Sequence, residues 1–107
     1  MTKNELLNQG FQHYAAGDYE NAVNFFSSAL QLDPKFDLAL NAIAETYNKI
    51  GDLDQAILYA RRLVDVNPRD PLAHTALSRF YVQKGMIKEA EEEMAISNQL
   101  SIKKTRS

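Results

Sequence analysis

Apolar residues recur at intervals of three and four through the middle of the chain, the spacing of one face of a helix. The first run consists of Leu40, Ile43, Ala44 and Tyr47. The second run, after Gly51 and Asp52, consists of Leu53, Ala56, Ile57, Ala60, Leu63 and Val64. Glycine readily adopts the left-handed conformation that ends a helix, and an aspartate caps the next one. The pattern therefore predicts two helices joined by a tight turn.

The same pattern repeats along the chain with a period of 34 residues. Three residue types mark this period independently: Gly17, Gly51 and Gly85; Ala22, Ala56 and Ala90; Pro34 and Pro68. A fixed period of this length is typical of stacked helical hairpins. We therefore predict one domain over residues 1–107, with repeats at 3–36, 37–70 and 71–104 and a short tail at 105–107. The prolines should end the second helices, because proline has no amide proton and restricts the residue before it.

The residue pattern within a repeat resembles that of the tetratricopeptide repeat family. The first repeat carries it most completely, at Leu6, Gly10, Tyr14, Gly17, Tyr19, Ala22, Phe26, Ala29 and Pro34. The second repeat departs from it at Ala60, where the family usually has a large aromatic residue. The resemblance implies an all-α fold: a right-handed α-solenoid of three helix-turn-helix hairpins, with six helices.

The third repeat is more polar where a stacked hairpin would face its successor. Glu91, Ser97 and Asn98 stand where the first repeat has Val23, Ala29 and Leu30. Terminal repeats need a polar outer face to stay in solution. We therefore expect the stack to end at this helix, with residues from Ser101 onward either extending it or fraying.

In this family the first helices of the hairpins line a concave groove, which implies a binding surface here. The outward-facing positions of these helices are Asn4, Leu7, Phe11 and Tyr14; Leu38, Asn41, Glu45 and Asn48; and Leu72, Thr75, Arg79 and Gln83. The groove is thus expected to be apolar and aromatic at the first repeat and polar at the other two. Such a surface suits a peptide or helix of a partner protein with one apolar anchor and several amide or charge contacts.

Several of these residues have an alternative interpretation. Leu7 and Phe11 either face the groove or pack into the core of the first hairpin. Glu45 and Arg79 occupy equivalent positions on neighbouring helices, so we expect them to pair with each other rather than with a ligand. The amides of Asn41 and Asn48 either hold a partner's backbone or are solvated.

Chaperone-binding members of the family hold a C-terminal tail with a clamp of lysine, asparagine and arginine side chains. The matching positions here are occupied by Leu7, Phe11, Ala42, Leu72 and Ala76. None of these side chains can donate a hydrogen bond to a carboxylate. The sequence therefore predicts that an acidic chaperone tail is not recognised by this mechanism.

Charge and composition narrow the classes of partner. The chain has 12 basic and 14 acidic residues and a net charge of -2, which argues against nucleic acid and acidic membranes as partners. No apolar run has the length of a membrane span or a signal peptide. Without cysteine the chain has no disulfide and no thiolate zinc site. A cytoplasmic location is the simplest expectation.

No constellation of residues indicates catalysis, a cofactor or a metal. His13 and His74 lie in different repeats, without a second imidazole at ligand spacing. The acidic run on the last helix is expected to be a solvated face, and the basic tail to balance the helix dipole. We therefore predict a non-enzymatic scaffold for protein–protein interaction. The alternative is a structural module that self-associates into homo-oligomers, possibly as part of a larger protein.

Overall fold

A computed structural model describes the backbone of residues 1–106 and the side chains of residues 1–103. Within that range the chain forms six helices and no strand. They are α1 (Lys3–Ala15), α2 (Tyr19–Leu32), α3 (Asp37–Ile50), α4 (Leu53–Val66), α5 (Pro71–Lys84) and α6 (Ile87–Arg106). Each consecutive pair packs together, and α1 also contacts α3. The predicted all-α solenoid of helical hairpins is confirmed.

The turns inside the hairpins form as the glycine period predicts. Gly17, Gly51 and Gly85 have φ angles of 79°, 94° and 84°, a conformation that other residues rarely adopt. Asp52 then caps α4 by accepting a hydrogen bond from the Gln55 amide. Because both signals act within a few residues, they set the hairpin turn without help from the rest of the fold.

The connections between hairpins follow the prolines. Helices α2 and α4 end at Leu32 and Val66, each two residues before a proline. Helices α3 and α5 begin at Asp37 and Pro71, the first residues of the predicted second and third repeats. The repeat boundaries themselves remain a prediction.

Small residues allow the two helices of each hairpin to approach closely. Ala22, Ala56 and Ala90 are buried at the three equivalent positions. In the first hairpin Gly10 lies directly against the Phe26 ring, so that an added Cβ would be 2.4 Å from Phe26 Cε1. Two clusters of buried apolar residues run through the stack, and Tyr47, Tyr59 and Val64 pack against both.

The last hairpin differs from the sequence prediction in one respect. Ser97, expected on the polar outer face, is only 5% exposed. Its hydroxyl donates to the Pro71 carbonyl at 2.9 Å and shares a hydrogen bond with the Thr75 hydroxyl. Ser97 therefore replaces an apolar contact between α5 and α6 with a polar one. Glu91 and Asn98 are exposed, as predicted.

Helix α6 extends well past its partner α5. It continues to Arg106 and so includes Thr105 and Arg106 of the predicted tail, while Ser107 lies outside the described residues. Of the two predicted outcomes, extension or fraying, residues 101–106 therefore show extension of the helix.

Candidate partner-binding groove

The first helices of the three hairpins present a common surface, which we call the groove: the outward-facing positions of α1, α3 and α5. Arg79 on α5 forms an ion pair with Glu45 on α3, and the two residues are 34 positions apart. The predicted pairing of these side chains is confirmed. The Arg79 side chain is half-exposed, so we expect the pair to stabilise the fold by no more than about 1 kcal/mol.

The end of the groove at α1 is less open than the sequence predicts. Leu7 is only 6% exposed and belongs to the core. The prediction that Leu7 faces the groove is therefore wrong, and the alternative, that it packs into the core, is confirmed. Phe11 is 46% exposed, with its ring edge-to-face on the Phe26 ring at 5.1 Å. Tyr14 is half-buried and packs against Tyr19 in the same manner. The apolar strip expected on α1 is therefore reduced to Phe11 and part of Tyr14.

The largest apolar exposure in the groove lies instead between α3 and α5. Leu38 is 57% exposed and Leu72 is 74% exposed, at equivalent positions of these neighbouring helices. Both line a depression of about 220 Å³, which is completed by Asp37, Asn41, Leu63, Asn67, Asp70 and Ala73. We call this the groove depression. The groove is therefore apolar at the second and third repeats as well, and the prediction that it is polar there is wrong.

Polar side chains from loops and helix ends form the rim of the groove depression. Asp37 accepts hydrogen bonds from the Leu38 amide at 2.9 Å and from the Asn67 side chain at 3.0 Å. Asp70 accepts from the Leu72 amide at 3.0 Å. The sequence analysis did not identify these rim residues. The repeat period does relate the Asp37–Asn67 pair to the Lys3–Asp33 ion pair, which lies 34 residues earlier.

The remaining predicted groove residues differ in their availability to a ligand. Asn41 and Gln83 are exposed, and Asn48 is half-buried. The Thr75 hydroxyl is occupied, because it lies within hydrogen-bond distance of both the Pro71 carbonyl, at 3.0 Å, and the Ser97 hydroxyl, at 2.7 Å. The side-chain amides of Asn41, Asn48 and Gln83 are therefore available to a ligand, whereas the Thr75 hydroxyl is not.

The clamp positions offer nothing to a carboxylate ligand. Ala42 and Leu7 are buried, and Ala76 is 9% exposed. Phe11 and Leu72 are exposed but purely apolar. The groove therefore holds no donor at the places where chaperone-binding members hold an acidic tail.

Both histidines serve packing in the structure. His13 stacks on the Phe25 ring at 5.1 Å, and its Nδ1 lies 3.1 Å from Asp18. His74 is buried between α5 and α6, with Nδ1 2.6 Å from Glu93 Oε2 and Nε2 2.7 Å from the Pro68 carbonyl. Among the described residues, no group of three or more histidine and carboxylate side chains is placed to hold a metal.

The two acceptors around His74 determine its charge. Burial lowers its pKa, but the hydrogen bonds that His74 donates to Glu93 and Pro68, with the charges of Glu93 and Asp70, outweigh this, and the pKa is raised. Only the imidazolium has a proton on each nitrogen to donate to both acceptors. Below its raised pKa, His74 is therefore an imidazolium that joins α5, α6 and the turn before α5.

None of the described helices is both long and apolar enough to cross a bilayer.

Comparison with known proteins agrees with this architecture. The model of the tetratricopeptide repeat family matches residues 13–79, which is more than half of the chain. A Pyropia yezoensis protein, described as uncharacterized protein ycf37, is 32% identical over 65 residues that cover 61% of this chain and 36% of that protein. The chain therefore spans about a third of this curated relative's length.

Two solved structures are similar over nearly the whole chain. A crystal structure of MamA has a TM-score of 0.94 at 18% identity and covers 99% of this chain, which spans 62% of that one. The second TPR of Spaghetti (RPAP3), bound to the HSP90 peptide SRMEEVD, has a TM-score of 0.84 at 17% identity over 94% of this chain and 93% of that one. At these identities the likeness shows the shared fold alone. With the family match and the 34-residue period, it follows that the chain belongs to the tetratricopeptide repeat family.

Proposed function

We propose that this protein is a non-enzymatic scaffold that binds a peptide or helix of a partner protein in its groove. The observation that carries the proposal is the groove depression, where two leucines on neighbouring helices are more than half exposed. Exposed aliphatic side chains that converge on a depression are typical of an anchor site, because covering them releases apolar surface from water. Asn41 beside them supplies an amide that both donates and accepts hydrogen bonds.

The comparisons support this proposal at the level of the fold. A domain of the same architecture, the second TPR of Spaghetti (RPAP3), is bound to the HSP90 peptide SRMEEVD. The clamp positions of this chain lack side-chain donors, so we propose a ligand with an apolar anchor rather than an acidic C-terminal tail. A cytoplasmic location remains a prediction from the sequence.

The test uses peptides selected from a random library displayed on phage, with affinity measured by fluorescence anisotropy. We expect Leu72→Ser to weaken binding about 5- to 30-fold, since burying one leucine is worth roughly 1–2 kcal/mol in such a contact. The matched control is Leu32→Ser, because Leu32 is also more than half exposed but lies at the end of α2, outside the groove. Equal affinities of the two variants for every selected peptide would contradict the proposal.

A second candidate function is self-association, favoured by the part of α6 that extends past α5. Ile102 is more than half exposed on this extension, and Ile96 and Met94 are also exposed on α6. Light scattering on a size-exclusion column separates the two functions. A monomer over a wide concentration range supports the scaffold. A dimer that dissociates when the chain is truncated after Asn98 supports self-association instead.

A further inference from the structure

A second concave surface, away from the groove, is lined mainly by α4 and α5 and is bounded on the α6 side by Glu93. It consists of two depressions of about 450 and 280 Å³, which share Leu58, Arg61 and Tyr81. We call it the α4–α6 crevice. Three α5 residues line it, Leu77, Tyr81 and Lys84. They lie about 140–200° around the helix from the groove residue Arg79, since each residue turns an α-helix by about 100°. The crevice and the groove are therefore on opposite sides of α5.

The repeat period explains why this crevice is open. At the preceding junction Tyr59 of α4 stacks on Tyr47 of α3, with ring centroids 5.8 Å apart. The equivalent residues 34 positions later are Glu93 and Tyr81. Glu93 has no ring to stack, and its carboxylate is held by His74. The ring pair of the second hairpin is thus absent from the third.

The walls of the crevice combine apolar surface with cations. Leu58 is 49% exposed beside the buried Tyr81 ring. Of the charged lining residues, Lys84 pairs with Asp54, and Glu93 pairs with His74.

Once those pairs are set aside, two arginines face one carboxylate in the crevice lining. Arg62 lies over the Tyr59 ring at 5.1 Å, and Asp65 is exposed. Arg61 is exposed, lines both depressions, and forms no ion pair within the described part of the chain. Arg61 is therefore the unpaired cation of the lining. Burial raises the pKa of the Tyr81 hydroxyl beside it, the Arg61 charge lowers that pKa, and the charges of Glu93, Glu89 and Glu92 raise it, so carboxylates of α6 also lie near the crevice.

We propose that the α4–α6 crevice is a second docking site, for a segment of another protein that carries an aliphatic or aromatic side chain next to a carboxylate. The apolar side chain packs against Leu58 at the edge of the buried Tyr81 ring, and the carboxylate accepts hydrogen bonds from Arg61, whose planar guanidinium suits two parallel bonds. The site is specific to this junction, because the first repeat has Asn24 and Ser27 at the positions of Leu58 and Arg61. It is independent of the groove.

The experiment selects a random 12-residue peptide library on phage against the whole chain and counter-selects it against the Leu58→Ser, Arg61→Glu double variant. Both residues are exposed, so the variant should fold, and a thermal melt checks this. The expected peptides carry an aspartate or glutamate beside a large apolar residue. Each should lose about tenfold or more in affinity for Arg61→Glu alone, and the groove variant Leu72→Ser should bind it as the unmodified chain does.

Charge reversal in the peptide distinguishes direct pairing from an indirect effect. Replacing the peptide carboxylate with lysine should weaken binding to the unmodified chain and restore much of it to Arg61→Glu. The proposal is overturned if selection yields no peptide sensitive to Arg61→Glu, or if the sensitive peptides show no such reciprocal rescue. Failure of this test leaves the groove untouched, because peptides that depend on Leu72 report on that site separately.

Discussion

The buried imidazolium of His74 predicts how the stability of the fold depends on pH. In the folded protein its pKa is raised, because the hydrogen bonds and charges of Glu93, Pro68 and Asp70 outweigh the effect of burial. The folded state therefore binds the proton more tightly than the unfolded chain, whose histidine titrates near the ordinary value of about 6.5. The resulting stabilisation is complete below that value and is lost as the pH rises through the higher folded pKa.

The size of this loss follows from the two hydrogen bonds. A neutral imidazole has one proton for the two acceptors, Glu93 Oε2 at 2.6 Å and the Pro68 carbonyl at 2.7 Å. One acceptor is then left without a protein donor: the Pro68 carbonyl, beside an imidazole that is 4% exposed, or the Glu93 carboxylate, whose side chain is 20% exposed. An unsatisfied buried group costs roughly 1–3 kcal/mol, and partial access of water to Glu93 favours the lower end of this range. We expect the free energy of unfolding to fall by about this amount between pH 5.5 and pH 8.5.

The assay is urea denaturation followed by circular dichroism across this pH range. His74→Leu places the residue that the other two repeats have at Leu6 and Leu40, and it should remove most of the pH dependence. The variant should therefore be less stable than the parent protein at low pH and approach it at high pH. His13→Gln is the control, because it removes a histidine at a half-exposed site and should retain the slope. An unchanged slope in His74→Leu would refute the reasoning.

Two further predictions concern the close contacts inside the hairpins. Gly10→Ala should lower the free energy of unfolding by up to about 2 kcal/mol, because crowding the buried Phe26 ring costs about 1–3 kcal/mol and better helix propensity returns up to about 1. Urea denaturation checks this, and a loss equally large in the background of Phe26→Leu would show that the ring is not responsible. Ala56→Leu should cost roughly 1–3 kcal/mol by overpacking the second hairpin, measured as a lower melting temperature. An unchanged melting temperature would contradict the close approach of α3 and α4.

The sequence predicted the helices and turns well because their signals are local. A glycine with positive φ, an aspartate cap and a proline after the helix act within a few residues of one another. The 34-residue period then places equivalent residues side by side, which was enough to predict the pairing of Glu45 with Arg79. The identity of the fold family followed from the same residues.

Burial was predicted less well, because it depends on the neighbours of a residue rather than on its position in the repeat. Leu7, Asn41 and Thr75 occupy the same position in the three repeats, yet Leu7 is buried, Asn41 is exposed and Thr75 is half-buried. Ser97 was expected at the surface, but it is covered by α5 and bonded to the Pro71 carbonyl. The period fixes which way a side chain points, and the surrounding side chains decide whether water reaches it.

The sequence by itself therefore determined the order of helices, their turns and the family, since these follow from backbone preferences and a repeated pattern. Only the tertiary structure decided where binding surface exists. The groove depression at Leu38 and Leu72 and the α4–α6 crevice are both gaps between helices that are distant in sequence. The size of such a gap depends on which side chains meet between the packed helices, and this is decided only when the helices pack against one another.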